Sequence, residues 1–396
     1  MLDNALEPSN QWHEEMQTWR RDLHQHPEIA YEEHRTSQKV AEILKDLGLE
    51  VHTGLGQTGV LGILKGKQVT ERHIALRADM DALKLTELNT FAHASCHTGQ
   101  MHGCGHDGHT AMLLGAAKAL AKNPDFAGTV YFVFQPAEEG ERGALRMLED
   151  GLFKQFPIQD IYGMHNWPGL PAGEFAVHSG PVMAAINGFD ITIKGTGGHG
   201  GMPEQVNDPI IIAAQLINAV QTVISRNLSP VHSGVISITQ IQGGSGAYNV
   251  IPETVTLRGA IRTFYKQDLA LIYARLRTLV EHTAAAFNAE ASIEFLEGAS
   301  ATVNHPEQAE QCYEVVEKLV GKEKAHWNPE PSMGAEDFAY FLLERPGAYI
   351  WIGNNGLEHS HSLHSPYYDF NDEILALGAS YWVNLVKHLS PLDEAL

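Results

Sequence analysis

MHGCGHDGHTAMLLGAAKALAKNPDFAGTVYFVFQPAEEG, residues 101–140, joins a helix to a buried strand and sets reactive side chains at both ends. GHTAMLLGAAKALAKNP has the small and apolar composition of a long helix. Asp107 is the expected cap, and the Asn123–Pro124 pair is the expected end, because the residue before a proline is pushed out of the helical region. GTVYFVFQP, 128–136, is a β-branched and aromatic run, which predicts a strand covered on both faces. Cys104 and His106 stand just before the helix, and Glu138 and Glu139 just after the strand.

The alternation continues on either side. Residues 11–47 read as helix-rich, interrupted by HPE at 26–28, and the helix in YEEHRTSQKVAEILKDLG closes at Gly48. VLGILKG (60–66), HIALRAD (73–79) and IYGMHNW (161–167) read as strands. Strand and helix in turn predict an α/β layer with ligand chemistry at the strand ends. The pattern changes near residue 183. GFDITIKG (188–195), GVISITQIQG (234–243), TVTLRGAIRTF (254–264) and ASIEFLEG (291–298) are strands, and 208–225 and 268–287 are amphipathic helices. Their order, β-α-β-β-α-β, is the ferredoxin-like pattern. QCYEVVEKLVG, DFAYFLLE, AYIWIGN and a C-terminal helix then resume the first composition. One discontinuous α/β domain with a smaller ferredoxin-like domain inserted accounts for all of this.

The 396 residues are 43% hydrophobic and 19% charged, which suits a packed fold of about two domains. A formal charge of −21 argues against nucleic acid or an anionic membrane as partner, since both need a positive face. The N-terminal stretch MLDNALEPSNQWHEEMQTWR is polar where a leader peptide would be apolar, and no apolar run approaches the ~18–20 residues of a membrane span. Three cysteines, Cys96, Cys104 and Cys312, are too few for a disulfide framework, so a reduced, cytoplasmic setting is expected.

The 22 histidines gather in a few stretches. Cys104 and His106, two apart on a glycine-flexible turn with His102, Asp107 and His109 nearby, suit half of a borderline-soft metal site, with a buried structural cysteine beside capping histidines as the alternative. Glu138 and Glu139 repel one another at a strand end; a cation would relieve that repulsion and leave one carboxylate free as a base, whereas an ordinary acidic turn continuing into Glu141 is the alternative. His165 ends another strand, and taken by itself it reads as a core or surface histidine rather than a ligand. Of His359, His361 and His364, one could close a metal site. In the inserted segment His199 stands among glycines, where a ligand can approach closely. Asn249 follows, and Arg262 suits either a substrate carboxylate or a surface ion pair.

Taken in order, RRDLHQHPE, ALRADMDAL, MHGCGHDGHTA, FQPAEEG, GMHNWP, GGHGGMP, NVIPE, GAEDF and LHSPYYDFND make the chain resemble, nearly end to end, the amidohydrolase branch of the aminoacylase/glutamate-carboxypeptidase metallopeptidase family. Hippurate hydrolases, N-acyl-amino-acid deacetylases and auxin-conjugate hydrolases belong to that branch. The resemblance implies a mixed-sheet, zinc-peptidase-like catalytic domain over 1–182 and 295–396, with a ferredoxin-like lid and dimerisation domain inserted over 183–294. It implies two divalent metal ions per subunit (Mn2+, Zn2+, Co2+ or Ni2+) held by Cys104, His106, Glu139, His165 and His364. Glu138 becomes the general base, His199 an oxyanion stabiliser acting within its own subunit or across a dimer, and Asp81 a support to the ligands. Asn249, Arg262 and Glu336 of GAEDF would surround the substrate, an N-acyl amino acid. A dipeptidase or carboxypeptidase on the same scaffold is the alternative, and a metal-binding homologue without catalysis a more distant one. Lys84, Glu141, Arg142 and Glu204 depart from the usual family residues; none is one of the implied ligands, and two of them border the implied site, so the resemblance does not carry over the acyl-group preference.

Overall fold

The computed structural model describes residues 12–356 and 359–393, so the first eleven residues of the N-terminal stretch lie outside it. The chain forms two compact units. One runs up to Val182 and takes in Val303–Pro331 and the chain from Asp337; the other comprises Met183–Thr302 and Ser332–Glu336.

The first unit is built on an eight-stranded sheet. Its strands are Glu50–Leu55 (β1), Gly59–Lys65 (β2), Gln68–Asp79 (β3), Ala127–Gln135 (β4), Asp160–Pro171 (β5), Phe175–Val177 (β6), Ala325–Trp327 (β7) and Gly347–Asn355 (β8). Their order is β1-β2-β4-β3-β5-β8-β6-β7. The four strands β4, β3, β5 and β8 are parallel, while β1 and β2 are antiparallel at one side and β6 is antiparallel to β8 at the other. The sheet is therefore mixed, with a parallel centre. Strand β4 is buried throughout, as its composition predicts. Helices His13–Gln25 (α1), His34–Asp46 (α2), His106–Lys122 (α3), Pro306–Val320 (α4) and Leu375–Leu389 (α5) belong to this unit. Met112, Leu113 and Leu120 of α3 share one core with Ile74, Leu76, Phe132 and Phe134 of the sheet and with Tyr381 and Trp382 of α5.

One expectation is overturned. Asp107 does not cap α3; the cap is Gly105, in the left-handed region at φ +91°, with no side-chain cap bond. The turn needs a glycine there, and Asp107 faces the other way. It pairs with Arg20 Nε at 3.0 Å and His24 Nδ1 at 2.8 Å, all three buried.

In the second unit, strands Ala185–Lys194, Gly234–Gly243, Thr254–Thr263 and Glu290–Leu296 form an antiparallel sheet in which the second and third strands lie to one side of the first and the fourth to the other. That is the ferredoxin-like arrangement. Alternation along the first strand turns Phe189, Ile191 and Ile193 onto the two helices Pro209–Asn227 and Lys266–Ala286. Asp208 caps the first of these by accepting from Ile210 N at 2.8 Å, with Pro209 in the first turn. This helix has the length and hydropathy of a membrane span. Ile212, Leu216, Val220 and Val223 nonetheless lie at helical spacing in the core shared with the sheet.

Candidate metal centre

The site lies at the carboxyl ends of the parallel strands, where an open α/β sheet leaves backbone groups and loops free for ligands. Register puts Asp79 of β3 opposite Gln135 of β4, and Arg77 opposite Gly163, two residues before His165 in β5. Three neighbouring strands thus end their polar residues at one level. Gly105 then turns the chain so that Cys104 and His106 enter the same space. A Cβ at Gly105 would stand 2.3 Å from Asn166 Oδ1 and 2.7 Å from the Tyr368 hydroxyl, so the close approach requires glycine as well as the φ.

Five residues expected as ligands meet here. Cys104 Sγ is 3.5 Å from His165 Nε2, whose other nitrogen donates to the Asn166 carbonyl at 2.6 Å. That bond leaves Nε2 as the nitrogen turned to the site. His364 Nε2 is 3.3 Å from Glu139 Oε1, and His106 Nε2 is 4.0 Å from the same oxygen. The donor atoms of Cys104, His106 and His165 lie within 4.8 Å of one another, as do those of Cys104, Glu139 and His364, and those of His106, Glu138 and Glu139. Asp81 sits behind them: one oxygen is 3.2 Å from His106 Nδ1 and the other accepts from Glu139 N at 2.9 Å. It orients one donor through its side chain and another through its backbone.

The chemistry of this donor set fits divalent cations. Among the described residues, His106 Nε2 and Glu139 Oε1 are buried without a hydrogen-bond partner, the nearby His364 ring notwithstanding, an arrangement that is costly unless something positive stands between them. Burial pushes the Cys104 thiol well above its ordinary range, and Glu139, Glu138 and Asp79 push it further. A thiolate can form there only when a cation compensates it. Burial opposes charge on His106, yet Asp79, Asp81 and Glu139 outweigh it and raise its pKa to about 10. The field that holds a proton on this ring is the field a metal ion would neutralise. Burial and the nearby His109 drive His165 well below its usual value, leaving it neutral and able to donate a lone pair.

The remaining expected residues belong to the second unit. His199 is exposed and pairs with Val250 in a two-stranded ribbon, and the Asn249 carbonyl accepts from Gly200 N at 2.8 Å, so His199 and Asn249 adjoin. Gly201 N donates to His199 Nδ1 at 2.9 Å, which leaves Nε2 to carry the proton of the neutral ring. Arg262, half-buried in its strand, donates to the Met333 carbonyl at 2.5 Å, and Glu336 is buried, its carbonyl accepting from Thr302 Oγ1 at 3.2 Å.

Several polar residues escaped the sequence reading. Asp79 accepts from His109 Nδ1 at 2.6 Å and from Arg77 at 2.7 Å, and His109 Nε2 lies 2.7 Å from Asn166 Oδ1. A signal was present: Arg77 and Asp79 alternate with Ala78 at the buried end of β3, and Asp81 continues that alternation just beyond the strand, so three charges recur at every second position of a buried stretch.

An α/β unit whose strand ends gather a thiol, imidazoles and carboxylates around buried unpartnered donors defines a metallohydrolase. The chain belongs to Peptidase family M20/M25/M40, whose profile matches residues 75–388. It is 39% identical over 376 residues to a hippurate hydrolase of Campylobacter jejuni, covering 95% of this chain and 97% of that protein. An N-acetylcysteine deacetylase of Bacillus subtilis is 37% identical over 376 residues, with 94% and 96% covered. Among solved structures, the Bacillus subtilis YXEP protein, described as a dinuclear metal binding peptidase of the M20 family, superposes with a TM-score of 0.83 at 34% identity, over 95% of this chain and 98% of that one.

Proposed function

We propose that this enzyme hydrolyses the amide bond of N-acyl amino acids, hippurate-like or N-acetylated, and releases a carboxylic acid and a free amino acid. The observation that carries the reading is the buried donor set of Cys104, His106 and His165 with Glu138 and Glu139 beside it. The similarity to a hippurate hydrolase and an N-acetylcysteine deacetylase supports the substrate class. Cys104, His106, Glu139, His165 and His364 hold two divalent ions, with Mn2+, Zn2+, Co2+ and Ni2+ all compatible with the mixed sulfur, nitrogen and oxygen donors. When bound, the ions polarise the scissile carbonyl and acidify water. Glu138 takes the proton of the attacking water and passes it to the departing amine, the work of a carboxylate beside the reacting atoms. His199 stabilises the developing oxyanion, and Asn249, Arg262 and Glu336 bind the substrate. We assign residues 1–182 and 295–396 to catalysis and residues 183–294 to a lid through which two copies pair. In that segment the strand Gly234–Gly243 is a sheet edge with Ile241 60% exposed, and Ile210 and Ile211 are exposed on the adjacent helix, which supports pairing. Three free cysteines suit a cytoplasmic setting.

The test is a panel of acetyl-, benzoyl- and indoleacetyl-amino acids and dipeptides, assayed on metal-stripped protein reconstituted with single metals. N-acyl amino acids should be turned over in preference to dipeptides. Glu138→Gln should keep its metal and lose roughly 10²–10⁴-fold in kcat. A dipeptide preference would replace the substrate assignment, and near-normal turnover by metal-loaded Glu138→Gln would remove the base.

A further inference from the structure

The loop that carries Glu138 is pinned on both sides of it. Ala137 N donates to Glu33 Oε1 at 2.8 Å, and Glu139 N to Asp81 Oδ2 at 2.9 Å. Glu138 itself meets a different partner: Oε1 accepts from the backbone N–H of Asp337 at 3.3 Å. Asp337 is the first residue of the α/β unit after the chain returns from Ser332–Glu336 of the second unit. The donor to the base is thus the peptide by which the chain re-enters.

That peptide is held by the side chain of the same residue. Asp337 is buried, and Oδ1 accepts from Gln135 Nε2 at 2.7 Å and from Arg77 at 3.3 Å, while Oδ2 accepts from Ala144 N at 2.8 Å. Arg77 in turn donates to Gln135 Oε1 at 2.7 Å and to Asp79 Oδ2 at 2.7 Å, with its side chain fully buried. Gln135 ends β4, and Ala144 stands in the first turn of the helix Gly143–Glu149, so the carboxylate grips the elements on both sides of the Glu138 loop. A buried ionic network is a weak source of stability, since burying the charges offsets much of their attraction. Its value here is geometric.

We propose that Asp337, through its hold on Gln135, Arg77 and Ala144, is the positioning residue that fixes its own N–H against Glu138 and so sets the place of the general base. This rests on Glu138 acting as the base. The position was legible only as part of GAEDF, where Glu336 drew attention instead.

Asp337→Asn keeps the volume, but its amide cannot accept from all three donors. In the metal-loaded enzyme the variant should lose about ten- to a hundredfold in kcat, the scale of a misplaced catalytic group. KM and metal content should stay within twofold of wild type. Introduced into Glu138→Gln, the same change should lower the residual rate no further, because both act through one group. Gln135→Leu removes one donor and keeps the charge of Asp337; it should lower kcat less, in the same direction, and covers the case in which Asp337→Asn fails to fold. Unchanged kcat in both variants overturns the proposal, as does a loss that persists in full in the Glu138→Gln background. If Glu138→Gln alone is active, the base assignment falls instead, and the two failures are told apart.

Discussion

Cys104 shows how one buried side chain can be defined by what it lacks. Its sulfur is buried beside a histidine nitrogen and among carboxylates that oppose its ionisation. A thiol in that setting is inert, whereas a thiolate there needs a cation. Cys104→Ser replaces a soft donor by a hydroxyl whose proton is far harder to remove, and the metal should be held at least tenfold more weakly. Dialysis against graded chelator followed by elemental analysis would measure this. Wild-type stoichiometry at every chelator concentration would exclude the sulfur as a ligand.

At the scale of the element, the turn into α3 decides whether Cys104 and His106 face the site. Gly105 combines φ +91° with a side-chain position already filled by Asn166 and Tyr368. Gly105→Ala should therefore destabilise the protein by on the order of 2–4 kcal/mol, from backbone strain and overpacking together, and should weaken metal retention as well. Gly48, at φ +82° with open space around it, is the control. Gly48→Ala should lower stability by about 1 kcal/mol and leave metal binding unchanged. Thermal melts of the loaded and stripped proteins separate the outcomes; equal metal binding by both variants would refute the role given to this turn.

Across the whole α/β unit, a buried charge network joins parts of the chain far apart in sequence. Arg20 of α1 pairs with Asp107 of α3 and with Asp369 and Asp372 near the C-terminus, and His24 lies between Asp107 and Glu87. Burial disfavours the charged form of His24, but Asp107 and Glu87 outweigh it and raise its pKa to about 9 from 6.5. The folded state thus holds a proton that the unfolded chain releases above pH 6.5. This contribution is fully present below pH 6.5 and is lost as pH rises through 9; it amounts to roughly 3 kcal/mol. Burial raises Glu33 to about 7, so it acts in the same direction between about pH 4.5 and 7. Asp369 works oppositely: burial is outweighed by Arg20 and His93, its pKa falls to about 2, and its contribution is lost only as pH drops below the usual carboxylate range. Urea titrations of metal-stripped protein should show the gap between wild type and His24→Gln narrowing from pH 6.5 to 9. A constant gap over that range would dissociate His24 from the network.

Much of the architecture was legible in residue order alone, because periodicity and turn chemistry are local. The buried strand β4, the helix after Cys104 and the β-α-β-β-α-β order of the second unit follow from side-chain spacing that each segment carries within itself. Part of the candidate site was legible too: Cys104 and His106 stood out by their spacing and the Glu138–Glu139 pair by its place at a strand end, whereas His165 and the choice of His364 among three histidines came only from the family resemblance. Asp107 was misread as a cap because its partners, Arg20 and His24, stand more than 80 residues away in the sequence. Asp79 and Asp337 were passed over for the same reason, and His109 was noted only as a neighbour of Cys104 and His106. Their meaning lies in hydrogen bonds between β3, α3, β4 and a segment more than 190 residues further on. Composition and spacing determined which groups this chain can offer to a metal and a substrate. Tertiary structure decided which are held in place, because satisfying buried polar groups is a matter of packing between elements.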